Sequence, residues 1–143
     1  MCIRDSPYTA RTCIHRLGTG LRALLDHPGR APVTRGNDGE VRIVHHRQPF
    51  GYYCSLALRP LMNAGRNHAE VLGEIAHMLG ALGAMAERED RRKDIIENLD
   101  ALEETVSNCQ LIPADQSWVM QQIELARTKA GQNCAAVVAA ADG

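Results

Sequence analysis

One stretch, between Val71 and Ala86, constrains the fold more than any other. Val71, Leu72, Ile75, Leu79 and Leu82 recur at the spacing of one helix face, while Gly73, Ala76, Gly80 and Gly83 run along another. Each interior glycine costs a helix about 1 kcal/mol relative to alanine, so a row of them at turn spacing needs compensation. Close approach of a neighbouring backbone supplies it, because positions this small let two helices pack tightly. The stretch predicts a central, buried helix running from an N-cap at Asn67 to about Arg88.

The flanking sequence extends the helical pattern. From Thr9 to Leu25, Ala10, Cys13, Ile14, Leu17, Leu21, Leu24 and Leu25 fall at helical spacing, and His27-Pro28-Gly29 ends the run. Val33-Thr34-Arg35 and Val41 to Val44, joined through Gly36-Asn37-Asp38-Gly39, read as a small β-hairpin near residues 33–46. A second helix runs from Pro49 and Phe50 to about Ala64. Its apolar stripe is Phe50, Tyr53, Cys54, Ala57, Leu58 and Leu61, and the internal Pro60 is expected to kink it. Ile95, Leu99, Leu102, Val106 and Cys109 form the seam of an antiparallel hairpin or bundle. Pro113 opens a last helix, with Trp118, Val119, Ile123, Ala126 and Ala130 inward; Gly131 is expected to close it and leave 132–143 as a frayed tail. The fold class expected is mainly α: about five helices in an antiparallel bundle-like array with one small β-hairpin, forming a single domain over 7–131.

Charge and composition exclude several functions. Sixteen Lys+Arg against 17 Asp+Glu leave no basic excess for nucleic acid, and 3% aromatic content offers no stacking platform. The run Glu87 to Asp94 places Glu87 with Arg91 and Glu89 with Lys93 at i,i+4, the pattern of a solvated helix surface. Cys13, Cys54, Cys109 and Cys134 are isolated beside apolar residues, as buried reduced thiols are. Glu74 and His77 make one E-x-x-H step, but a di-iron bundle needs a second, and adjacent His45-His46 would point to opposite strand faces. Phosphate-loop, dinucleotide and hydrolase-elbow motifs are missing, so no metal, cofactor or catalytic residue is assigned. Leu72 to Ala86 comes nearest to a membrane span, but Glu74 and His77 interrupt it, so direct membrane insertion by this chain is not expected.

Two readings rest on resemblance. Met1 to Ser6 looks like the translated end of a sequencing-library adapter, which would place native sequence from Pro7 onward and leave upstream protein missing. Pro7-Tyr8-Thr9-Ala10, then Cys13-Ile14 and Leu17-Gly18, resemble the N-D-P-x-T-A...C-[IL]-D-x-L-G segment of a bacterial family of predicted membrane proteins, domain of unknown function 2254. Phe50, Ala57, Leu58 and Leu61 are similar to its F-x-x-L-V-D-x-A-F-x-Q-I helix, and Asn67 to Leu72 to its D-P-x-x-x-L helix start; the hairpin with Asp38-Gly39 also recurs. The resemblance covers most of Pro7 to Gly131. It departs where the family carries Asp, here His15 and Ser55, and where it carries Gln, here Pro60; a site lined by those groups would be lost.

The resemblance implies a parent protein of the bacterial inner membrane, with transmembrane helices upstream and this soluble domain at its C-terminus in the cytoplasm. The function expected is an interaction or regulatory module. Its partners are expected to be the missing transmembrane part of the same chain and a second copy in a homo-oligomer. Ile14, Val41 and Ile43 are the candidates for the exposed surface. The alternative is an enzyme with an unrecognised polar site around His15, Ser55, Glu74 and His77.

Overall fold

The computed structural model describes residues 7–27, 33–44 and 48–141, with side chains of the last helix described to residue 131. The adapter-like start, the Pro28-Gly29 turn, His45-His46 and Cys134 lie outside the residues whose side chains are described. Five helices and one hairpin follow in the order α1 (Pro7–Asp26), β1 (Val33–Arg35), β2 (Val41–Val44), α2 (Phe50–Gly65), α3 (Ala69–Met85), α4 (Glu89–Ser107) and α5 (Pro113–Ala141). This is the mainly α, bundle-like array that the periodicity calls for.

α3 is the centre. Val71, Leu72, Ile75, Ala76 and Leu79 are all fully buried, and α5, α1, α4 and α2 all pack on it. The glycine row is the seam with α5: a Cβ on Gly80 would lie 2.8 Å from the Ala126 backbone, and one on Gly83 would lie 2.5 Å from Ala130 Cβ. At the other end of the seam the Trp118 ring covers Gly73, where a Cβ would meet it at 2.5 Å. Trp118 is thus half-exposed yet structural.

Three boundaries differ from expectation. Asn67 does not cap α3; the helix starts at Ala69 with His68 in the cap position and no side-chain cap bond. α3 also stops at Met85 rather than near Arg88, because Ala86 turns extended and is fully buried. Its carbonyl is taken by the next helix, with Arg92 Nη2 donating to it at 2.9 Å. The run Glu87 to Asp94 therefore straddles a corner. Its i,i+4 pairs do not form; Arg88 pairs with Asp90, and the Arg91 guanidinium lies 5.1 Å over the Phe50 ring. Finally, α5 runs through Gly131 to Ala141, since one glycine is tolerated in alanine-rich sequence of high helix propensity.

α4 and α5 are joined by charge as well as by packing. Arg127 Nη2 reaches Asp100 at 2.6 Å and also Glu103, while Nη1 reaches Glu124 at 2.5 Å. Burial opposes the charge, but the three carboxylates outweigh it and raise the guanidinium's pKa above its ordinary value.

The hairpin matches its sequence signature. Val33 pairs with Val44 and Thr34 with Ile43, and Gly39 takes the positive φ, 80°, that the turn requires. A bulge shifts the register between Thr34 and Arg35. No helix packs extensively on the described hairpin.

Candidate functional site

α2 begins without a cap of its own. Pro49 precedes it and makes no side-chain cap bond, so the free amides of the first turn need an acceptor from elsewhere. α4 provides one: the Gly51 amide donates to Asp94 Oδ2 at 2.8 Å. Gly51 admits that approach, because a Cβ there would lie 3.0 Å from Asp94 Cγ. One turn further along both helices, Ser55 Oγ donates to Asn98 Oδ1 at 3.2 Å, and Asn98 Nδ2 donates to the Asp94 carbonyl at 2.8 Å. Asn98 is thereby satisfied although it is only 5% exposed. Asp94→Ala should cost about 1 kcal/mol, as loss of an N-cap does, and shift the urea midpoint accordingly. An unchanged midpoint would show that water replaces the carboxylate.

Beside these two rungs lies a groove of about 710 Å³, within the size range of small-ligand sites. Tyr52, Leu56, Arg59 and Pro60 line it from α2, and Glu97 and Ala101 from α4. Cys54 lies one residue before Ser55 and is fully buried; burial first, and then the Asp94 charge, push its thiol up to about 12, against the opposing charge of Arg91. Such a thiol is inert at neutral pH.

A second polar cluster joins α1 to α3. His15 Nε2 lies 2.9 Å from Glu74 Oε1, and Arg11 Nε lies 3.6 Å from Glu74 Oε2. His77 lines the same shallow depression of about 270 Å³. The structure thus brings together His15, Glu74 and His77 but not Ser55, which belongs to the α2–α4 rungs. The four do not form one site. His15 is 67% exposed, and a polar contact that open is worth at most about 1 kcal/mol. Among the described residues no group of three metal-ligating side chains converges.

The expected interaction surface divides in the same way. Ile14 is 1% exposed, because it shares with Ala10, Leu21 and Leu25 the face of α1 that enters the core, so it is no part of an exposed patch. Val41 and Ile43 are 49% and 53% exposed.

A family model described as a predicted membrane protein, DUF2254, matches residues 4–81, more than half of the chain. The chain belongs to this family. No curated protein and no solved structure matches it. The DUF2254 match spans α1, the hairpin, α2 and most of α3. It ends within α3, short of the Gly131 to which the likeness in sequence reaches. Among the described residues of this DUF2254 chain, no helix is long and apolar enough to cross a membrane. The three positions at which the resemblance in sequence breaks off fall on two surfaces: His15 on the α1–α3 depression, Ser55 and Pro60 on the α2–α4 groove. Sequence reasoning missed Asp94 and Asn98, and with them the groove. The available signal was their i,i+4 spacing immediately beside the apolar seam residues Ile95 and Leu99.

Proposed function

We propose that this DUF2254 chain is an extramembrane part of a bacterial inner-membrane protein, on the cytoplasmic side, and that it works as an interaction or regulatory module. One observation carries the reading: a member of a predicted-membrane-protein family has no described helix able to cross a bilayer, yet holds out a hairpin whose Val41, Ile43 and Val44 are 49–60% exposed. Branched apolar side chains on a two-stranded ribbon are costly to leave in water, and such exposure marks a contact surface. The partners that fit are membrane-spanning sequence of the same protein and a second copy of the chain. The Val41→Ser/Ile43→Ser double variant tests it. The wild-type chain is expected to self-associate or to bind hydrophobic dye across a sedimentation series, and the variant to lose that behaviour. A wild-type monomer that binds no dye would overturn the reading.

A further inference from the structure

α2 is an apolar helix with one face in water. Although 23% of the chain is charged, Arg59 is the single charged residue among its 16. The inner face is filled by Phe50, Cys54, Leu58, Leu61 and Met62. Much of the outer face is apolar too: beside exposed Arg59 and Asn63, Tyr52, Tyr53 and Leu56 are 47%, 39% and 63% exposed, and the two tyrosine rings meet edge to face at 5.6 Å. A solvated helix face normally carries charge. One carrying tyrosine, leucine and a lone cation has the composition of a helix lying at a lipid–water boundary, where a tyrosine ring sits in the apolar layer and its hydroxyl in the polar one.

The groove beside this face supplies the polar half of the recognition. Arg59 lines it from α2 and Glu97 from α4, and among the described residues neither has an ion-pair partner. The Asp94 carboxylate beside them is engaged by the Gly51 amide. A groove with one free cation on one wall and one free anion on the other is complementary to a head group that carries both signs. A purely anionic head group would meet two carboxylates there.

We propose that the outer face of α2 rests on a phospholipid bilayer, with a zwitterionic head group of the phosphoethanolamine type seated between Arg59 and Glu97. The phosphate pairs with the Arg59 guanidinium and the ammonium with the Glu97 carboxylate, while Tyr52, Leu56 and Pro60 meet the glycerol and upper acyl region. This rests on the extramembrane reading above and names a bilayer surface as one of the module's contacts.

Vesicle flotation of the full chain tests it. The wild type is expected to float with vesicles of phosphatidylethanolamine and phosphatidylcholine, and less with vesicles rich in phosphatidylglycerol. Leu56→Glu should cut the bound fraction about tenfold, the scale of removing one leucine from an apolar contact. Leu56 is mostly exposed, so the change should leave the fold intact. Leu125→Glu on α5, at a residue 49% exposed, should leave flotation unchanged. Arg59→Gln and Glu97→Gln should each remove the preference for these zwitterionic vesicles over phosphatidylglycerol-rich ones. The proposal is overturned if the chain floats with no vesicle, floats only with phosphatidylglycerol, or answers Leu56→Glu by a change in oligomer mass alone. If the hairpin double variant abolishes flotation and Leu56→Glu does not, the lipid contact moves to the hairpin. That result overturns the assignment to α2 and leaves the interaction-module reading standing.

Discussion

Gly80→Leu is expected to destabilise the chain by roughly 1–3 kcal/mol, visible as a lower urea midpoint at unchanged slope. Leucine has the better helix propensity, by about 1 kcal/mol, so a local account predicts the opposite sign. Packing decides it. The Cβ alone would lie 2.8 Å from Ala126 Cα and 2.9 Å from Ala126 Cβ, and backbone cannot swing aside as a flexible side chain can. α5 must move away from α3, and contacts along the whole seam loosen with it. Gly20→Ala on α1 is the control, since nothing lies within 4 Å of the added carbon; there the propensity gain should appear as a modest stabilisation. Equal effects of the two substitutions would mean that α3 and α5 are not in backbone contact.

The second large effect is on alkaline stability, through Cys54. Its thiol ionises at the ordinary 9.0 once unfolded and is pushed up to about 12 in the fold. Between those values the unfolded chain has released a proton that the folded chain still holds, so rising pH favours unfolding. The contribution is complete below pH 9.0 and is lost toward about 12. The slope is about 1.4 kcal/mol for each pH unit. Cys54→Val removes the proton and nearly keeps the volume. Its stability should therefore fall less steeply than that of the wild type over this range, as measured by urea midpoints at several alkaline pH values. Parallel slopes would show that the thiolate is accommodated in the folded chain.

Periodicity made most of the architecture legible because the apolar and small residues that pack recur at regular helical spacing. The α3 face Val71, Leu72, Ile75, Leu79 and its glycine row specified both the central helix and the close neighbour, and that neighbour is α5. The hairpin was readable from Asp38-Gly39 because few residues other than glycine take a positive φ. The corner between α3 and α4 was not readable. Local sequence from Glu87 to Asp94 favours helix, and the break is held instead by Arg92 closing on the Ala86 carbonyl, a contact that only tertiary structure creates. The grouping of the polar site residues is hidden for a related reason. Residue chemistry groups Ser55 with His15 and Glu74, whereas its partner, Asn98, is 43 residues away. Ile14, a candidate for the exposed surface, shares the helical spacing of Ala10, Leu21 and Leu25, and that spacing places it in the core.

The Gly51–Asp94 bond also separates two lengths that are easily equated. The match to the family model ends at residue 81, but the first turn of α2 takes its acceptor from residue 94, and the glycine seam of α3 is closed by Trp118, Ala126 and Ala130. A chain emerging from the ribosome would expose α2 uncapped and α3 with an open groove until α4 and α5 had followed. The matched stretch is therefore shorter than the stretch that packs together, and a truncation drawn at residue 81 would cut through the core.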